Sequence, residues 1–231
     1  MANINFLALI KEGTEVWNIW REQNQEILVK LDNVDLSEKN LYGINFRGAN
    51  LRGANLSKSD LSRANLSRAN LSGADLSMSI LNMADLRGAD LSEANLVMSA
   101  LYMANLSMAM IKNSVLTGAD LSEANLYKAD LRQSNLDYAN LNKSNLSASN
   151  LGGANLCRAD LGMANLSMVN LSMANLYKAN LDEADLCRAE LSGANMKDAS
   201  MINTVLKRPY LEGCSLYRSG GLILKWQFDR M

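Results

Sequence analysis

Few of this sequence's chemistry-bearing side chains stand where they could work together. There is no histidine among its 231 residues. That removes the commonest general base, the His-based nucleophile triads and imidazole metal sites together. Three cysteines occur, Cys157, Cys187 and Cys214, but they form no CxxC pair and have no evident base. No glycine-rich phosphate loop or HExxH is present. Carboxylates are plentiful, with 24 Asp and Glu against 23 Lys and Arg. A neighbouring couple such as Asp182 and Glu183 could serve as acid and base, but most Asp fall in one recurring slot and read as solvated surface. No catalytic residue, cofactor or metal site is expected, and the chain does not read as an enzyme.

The element that positions everything else is a ladder. From position 31 to 206 an apolar residue returns every fifth place without an insertion, giving 36 centres, all Leu except Phe46, Ile111, Met196 and Met201. Two places before the centre stands Ala or Ser, and just before it Asn or Asp, as in Ala49-Asn50-Leu51-Arg52-Gly53. A fixed period signals a solenoid, and five matches neither a helix nor a plain sheet. Departures recur at a lag of 20: Met78 with Met98, Ile80 with Ala100, Met83 with Met103. The small-slot serines Ser59, Ser79 and Ser99 do the same. Residues 20 apart should therefore stack. The centre and the small residue face inward, Asn and Asp suit the bends, and Cys157 and Cys187, just after a centre, should face solvent.

These pentads resemble the pentapeptide-repeat family, whose motif is A(D/N)LXX, over about three quarters of the chain. The resemblance implies an all-β solenoid, a right-handed quadrilateral β-helix with one pentad per side and four per coil. About nine coils follow, between an N-terminal helical cap and a short C-terminal cap. Three segments are expected: residues 1–28 as the helical cap, 29–206 as the ladder, and 207–231 as a degenerate last coil and cap. In the first, Phe6, Leu9 and Ile10 form one apolar face. Thr14 suits an N-cap, and Val16, Trp17 and Trp20 form the next stripe. This stretch also looks like the leader of some cyanobacterial members. The sole proline, Pro209, marks the failing motif, and Trp226 and Phe228 belong to a closing segment, strand or helix. An open coil end exposes raw core and unpaired backbone, so both ends need cover.

A net charge of −1 argues against a polyanion binder, and no nucleic acid is expected as a partner. No apolar run is long enough to span a membrane, and no signal peptide is evident, so a cytoplasmic protein without membrane association is expected. The side with centres 46, 66 and 86 displays Arg47, Arg68, Arg87, Lys128 and Arg188 against Asp85 and Asp185, and is mildly basic. The sharper departure is apolar: Met78, Ile80, Met83, Val97, Met98, Ala100, Tyr102 and Met103 occupy solvent-facing slots around one corner. Methionine is over-used at adaptable binding surfaces, and clustered exposed apolar groups mark interfaces; drift on a tolerant surface is the alternative. The leading reading is a scaffold that binds an unidentified protein. Self-association could use the terminal caps or the methionine cluster. The alternative, also from the resemblance, is a DNA-mimic binder of DNA gyrase or topoisomerase, as in quinolone-resistance members; balanced charge and an uninterrupted ladder speak against it.

Overall fold

The computed structural model describes residues 5–215; the closing segment with Trp226 and Phe228 lies outside the described residues. Parallel bridges join residues 20 apart without a break, from Lys30 with Asn50 to Asn195 with Ser215. Four pentads therefore make a coil and each pentad makes a side. The sides are numbered here by their centres: side 1 carries 41, 61 and 81, side 2 carries 46 and 66, side 3 carries 51 and 71, and side 4 carries 56 and 76. The bridging residue is always the one before the centre, and each bridge is one residue wide.

The corner explains why strands stay so short. Ala54 N donates to Leu51 O at 3.0 Å, and this closure recurs along the ladder. The second residue after the centre has positive φ in every pentad from Asn33 (55°) to Gly213 (68°), as a type II turn requires at its third position. Nine of these slots hold glycine and 28 hold a residue with a side chain, at roughly 1–2 kcal/mol each. The bends thus lie two to three residues beyond the Asn or Asp, not at it.

That Asn or Asp has a different task, visible once the backbone donors of one pentad are followed. Ala54 N closes the preceding turn. Asn55 N donates down to Val34 O (2.8 Å), while Leu56 N and Lys58 N donate up to Asp75 O (2.7 Å) and Ser77 O (2.9 Å). The fifth donor, Ser57 N, finds no backbone partner and is taken by Asn55 Oδ1 at 3.1 Å. One side chain per pentad therefore completes the set of backbone bonds, which buried backbone demands. Inward, the centres close the axis; Leu121 is fully buried. Serine replaces the small Ala without penalty because its hydroxyl donates to the turn carbonyl, Ser59 to Leu56 O and Ser79 to Leu76 O, both at 2.6 Å.

Two helices precede the ladder, α1 (Phe6–Lys11) and α2 (Thr14–Gln23). Thr14 is the first helical residue and not the cap; Gly13 takes that place at φ 116°, a conformation open to glycine and strained for other residues. Side chains of α2 stand in for a coil missing beneath side 2. Within the ladder, Asn65 N donates to Ile44 O, Asn65 O accepts from Phe46 N, and Ser67 O accepts from Gly48 N. One coil lower, Asn45 N donates to Asn18 Oδ1 (2.8 Å), Asn45 O accepts from Trp17 Nε1 (2.8 Å), and Arg47 O accepts from Arg21 Nη2 (3.0 Å). Trp17 is fully buried and meets the ring of Phe46 edge-on at 5.4 Å. Phe6 and Trp20 pack beside it at 6.2 and 5.4 Å. Ile10 is buried and Leu9 half-buried against the core. Val16 departs from the expected stripe: it is exposed, because the covering face of α2 runs through Trp17, Trp20 and Arg21.

Candidate interaction face

Met78 and Met98 occupy the positive-φ slot of the corner leading from side 4 into side 1. Met83 and Met103 occupy the same slot of the corner leading out of side 1. Between the two edges Ile80 and Ala100 are the outward residues of side 1, bridged to one another. The residues expected around one corner thus fill a whole side and both its edges, two coils deep. Met98 and Met78 are 61% and 57% exposed and Ile80 is 43% exposed; Val97, Ala100 and Tyr102 are half-buried. A lag of 20 reveals vertical stacking but not where the turns fall, hence the change from corner to side. Met98 lies along its edge over Gly118, where an added Cβ would come within 2.6 Å of its sulfur.

The outward apolar residues, on side 1 and beyond it on sides 3 and 4, cost the ladder hydrogen bonds. From 35 to 185 the slot before the centre holds Asn or Asp everywhere except Ile80, Ala100, Met110 and Val115. Each exception removes the acceptor for the N–H two residues on. Tyr102 N regains one from Asn82 Oδ1 of the coil below, at 3.0 Å. For Asn82, Lys112 and Thr117 no described residue supplies one. Asp182 makes the same repair at the far end, accepting from Ile202 N (2.7 Å) and Ser200 Oγ (2.6 Å). Its carboxylate is engaged in holding the next coil and not poised as half of an acid-base couple.

The sequence reading missed Met108, Met110 and Val115, which carry the exposed apolar belt onto the other sides. It also missed Met163, Met168 and Met173, exposed at three successive corners of a later coil. The broken Asn/Asp slot would have flagged Met110 and Val115.

The remaining chemistry is quiet. On side 2, Arg87 grips Asp85 through two bonds (2.8 and 2.7 Å), which removes one cation from the basic stripe. Arg47 and Arg68 line a groove of about 450 Å³ beside α2, together with the acids Glu22 and Glu26. Cys157 is buried instead of exposed, since the side chains stacked above and below cover it. Burial raises its thiol pKa, Arg158 opposes that rise and Asp137 adds to it, which is the reverse of the lowered pKa that activates a thiol. Among the described residues no cluster could hold a metal ion and no helix is long and apolar enough to cross a membrane.

A family description, Pentapeptide repeats, matches in overlapping stretches from 30–68 to 170–208. Among solved structures the chain is similar to HetL, a pentapeptide repeat protein involved in heterocyst differentiation regulation in the cyanobacterium Nostoc sp. strain PCC 7120. The identity is 33%, over 86% of this chain and 93% of HetL, with a TM-score of 0.63. It is also similar in fold to QnrB1, a plasmid-mediated fluoroquinolone resistance protein, at 19% identity over 81% of this chain and 89% of that one, TM-score 0.52. No curated protein sequence matches the chain.

Proposed function

The chain belongs to the pentapeptide-repeat family, and on that footing we propose that it is a non-enzymatic scaffold whose contact surface is the apolar face of side 1. The rod is a right-handed quadrilateral β-helix of about nine coils, closed at its N-terminus by α1 and α2, and works in the cytoplasm. The observation that carries the reading is the exchange of bonds for exposed apolar groups. At Ile80 the ladder leaves Asn82 N without the acceptor that Asn or Asp supplies elsewhere, at Ala100 it must borrow one from Asn82 of the coil below, and the groups gained point outward. A solenoid gains nothing internally from that exchange; a partner that covers the face does.

HetL is described as involved in heterocyst differentiation regulation, and a regulatory role exercised through contact with a partner suits this chain. The DNA-mimic reading has less support, because a duplex mimic needs an acidic surface and this chain has a net charge of −1. The test is recovery of protein partners from the native host with wild type and with Met83→Lys/Met103→Lys. Charge in an apolar contact costs several kcal/mol to desolvate, so a partner should be lost. Met168→Lys/Met173→Lys changes the same residue type in the same slot on other sides and should keep it. Equal recovery by all three proteins would refute the assignment.

A further inference from the structure

This inference rests on the reading of side 1 as a contact surface and names its occupant. Four successive rows along side 1 have a definite polarity. The lowest holds Lys58, Asp60 and Arg63, net +1; two apolar rows follow, the first centred on Ile80 and the second on Ala100; the fourth holds Gly118, Asp120 and Glu123, net −2. Among the described residues Arg63 and Glu123 form no ion pair, while Lys58 reaches Glu38 at 3.2 Å in an exposed pair.

Two identical rods meeting through this side must be related by a two-fold axis lying in the contact plane. With the axis along the shaft the rods are parallel and every row meets itself. Ile80 then collides with Ile80, Ala100 leaves a gap against Ala100, and rows of like charge oppose each other. With the axis across the shaft the rods are antiparallel and the rows exchange. Ile80 then meets Ala100 of the second copy, bulk against hollow, and the reverse contact occurs by symmetry. The methionines line both edges, and the +1 row lies on the −2 row at both ends. Arg63 faces Glu123 of the second copy, and each Asp120 opposes an Asp60 flanked by Lys58 and Arg63.

We propose that side 1 binds side 1 of a second copy of this chain, antiparallel, with the two-fold axis between the rows of Ile80 and Ala100. About six rows overlap in this register, roughly 30 Å of shaft at ~4.8 Å per coil. One narrow side of that length falls short of a standard interface of about 800 Å² per partner. The dimer is therefore weak, with dissociation at roughly 1–100 μM.

The experiment is sedimentation equilibrium across that range for wild type, Arg63→Glu, Glu123→Arg and the double exchange, with melting curves to verify folding. Wild type should dimerise. Each single reversal should weaken dimerisation roughly tenfold or more, because it occurs twice per dimer and replaces attraction by repulsion. The double exchange should restore it to within about threefold. A strictly monomeric wild type overturns the proposal. So does a double variant no better than the singles, or an Arg63→Glu that tightens association, as the parallel arrangement requires. If wild type is monomeric yet Met83→Lys/Met103→Lys loses a host protein that wild type retains, self-pairing falls and the contact-surface reading stands.

Discussion

Val115→Asn should make the protein more stable, although it replaces an apolar residue by a polar one. Asn at 115 would place its side-chain oxygen where Thr117 N now lacks an acceptor. It would also mend a side-chain ladder that Val115 cuts. Below the cut Asn95 Nδ2 donates to Asp75 Oδ1 at 3.0 Å. Above it Asn155 donates to Asn135 at 2.9 Å and Asn175 to Asn155 at 3.0 Å. Up to three new bonds follow, each contributing about 0.5–1.5 kcal/mol net, with the lower end apt because the row is only part-buried. Against them stands the lost packing of a valine already 39% exposed, about 1 kcal/mol. The expected net gain is roughly 0.5–1 kcal/mol, or about 1–4 °C in melting temperature for a chain of this size. Thermal melts followed by far-UV circular dichroism read it, with Val115→Ala separating the lost packing from the gained bonds. If Val115→Asn melts no higher than Val115→Ala, the fifth-donor argument is wrong, and with it the claim that the apolar face has a cost.

Three further outcomes are expected. Leu121→Asp should lose several kcal/mol by burying an unpaired charge on the axis, while neighbouring Ser122→Asp should lose less than about 1 kcal/mol; matched melting curves would contradict the inward and outward assignment. Trp17→Phe keeps an aromatic ring but removes the indole N–H, leaving Asn45 O without its donor and a small void behind, so a loss of at least about 1–3 kcal/mol is expected. Guanidinium titration monitored by circular dichroism measures it, and no loss would show that α2 does not substitute for a coil. Arg87 and Arg132 hydrogen bonds hold the carboxyls of Asp85 and Asp130 below the ordinary value. A depressed folded pKa stabilises above the unfolded value of about 3.9 and is lost as pH falls through the folded one. Stability should thus fall below about pH 4, and less so in Arg87→Ala/Arg132→Ala.

The ladder was legible because every pentad repeats the same physical requirement: an axis-filling Leu, a small residue beside it, and Asn or Asp that the backbone needs. The corner was not, since 28 of its positive-φ slots carry side chains and leave no glycine signature. At the N-terminus Trp17 stood out by its size, whereas Asn18 and Arg21 looked like ordinary solvent-facing polar residues. Their value lies in meeting Asn45 and Arg47, and no local pattern announces such a contact. The methionines of side 1 were found by their spacing of 20, but Val115 and Met110 break the pattern singly and passed unnoticed.

Oxidation footprinting of the exposed methionines tests the contact surface most directly, since a covered thioether oxidises slowly and a free one quickly. Met83 and Met103 on side 1 are 46% and 45% exposed, and Met168 and Met173 on sides 2 and 3 are 54% and 73% exposed, so all four should oxidise comparably in dilute purified protein. In a concentrated lysate of the native host, sulfoxide formation at Met83 and Met103 should slow severalfold while Met168 and Met173 keep their rates. Equal rates at all four positions in the lysate would contradict the assignment of side 1 as the surface through which this protein acts.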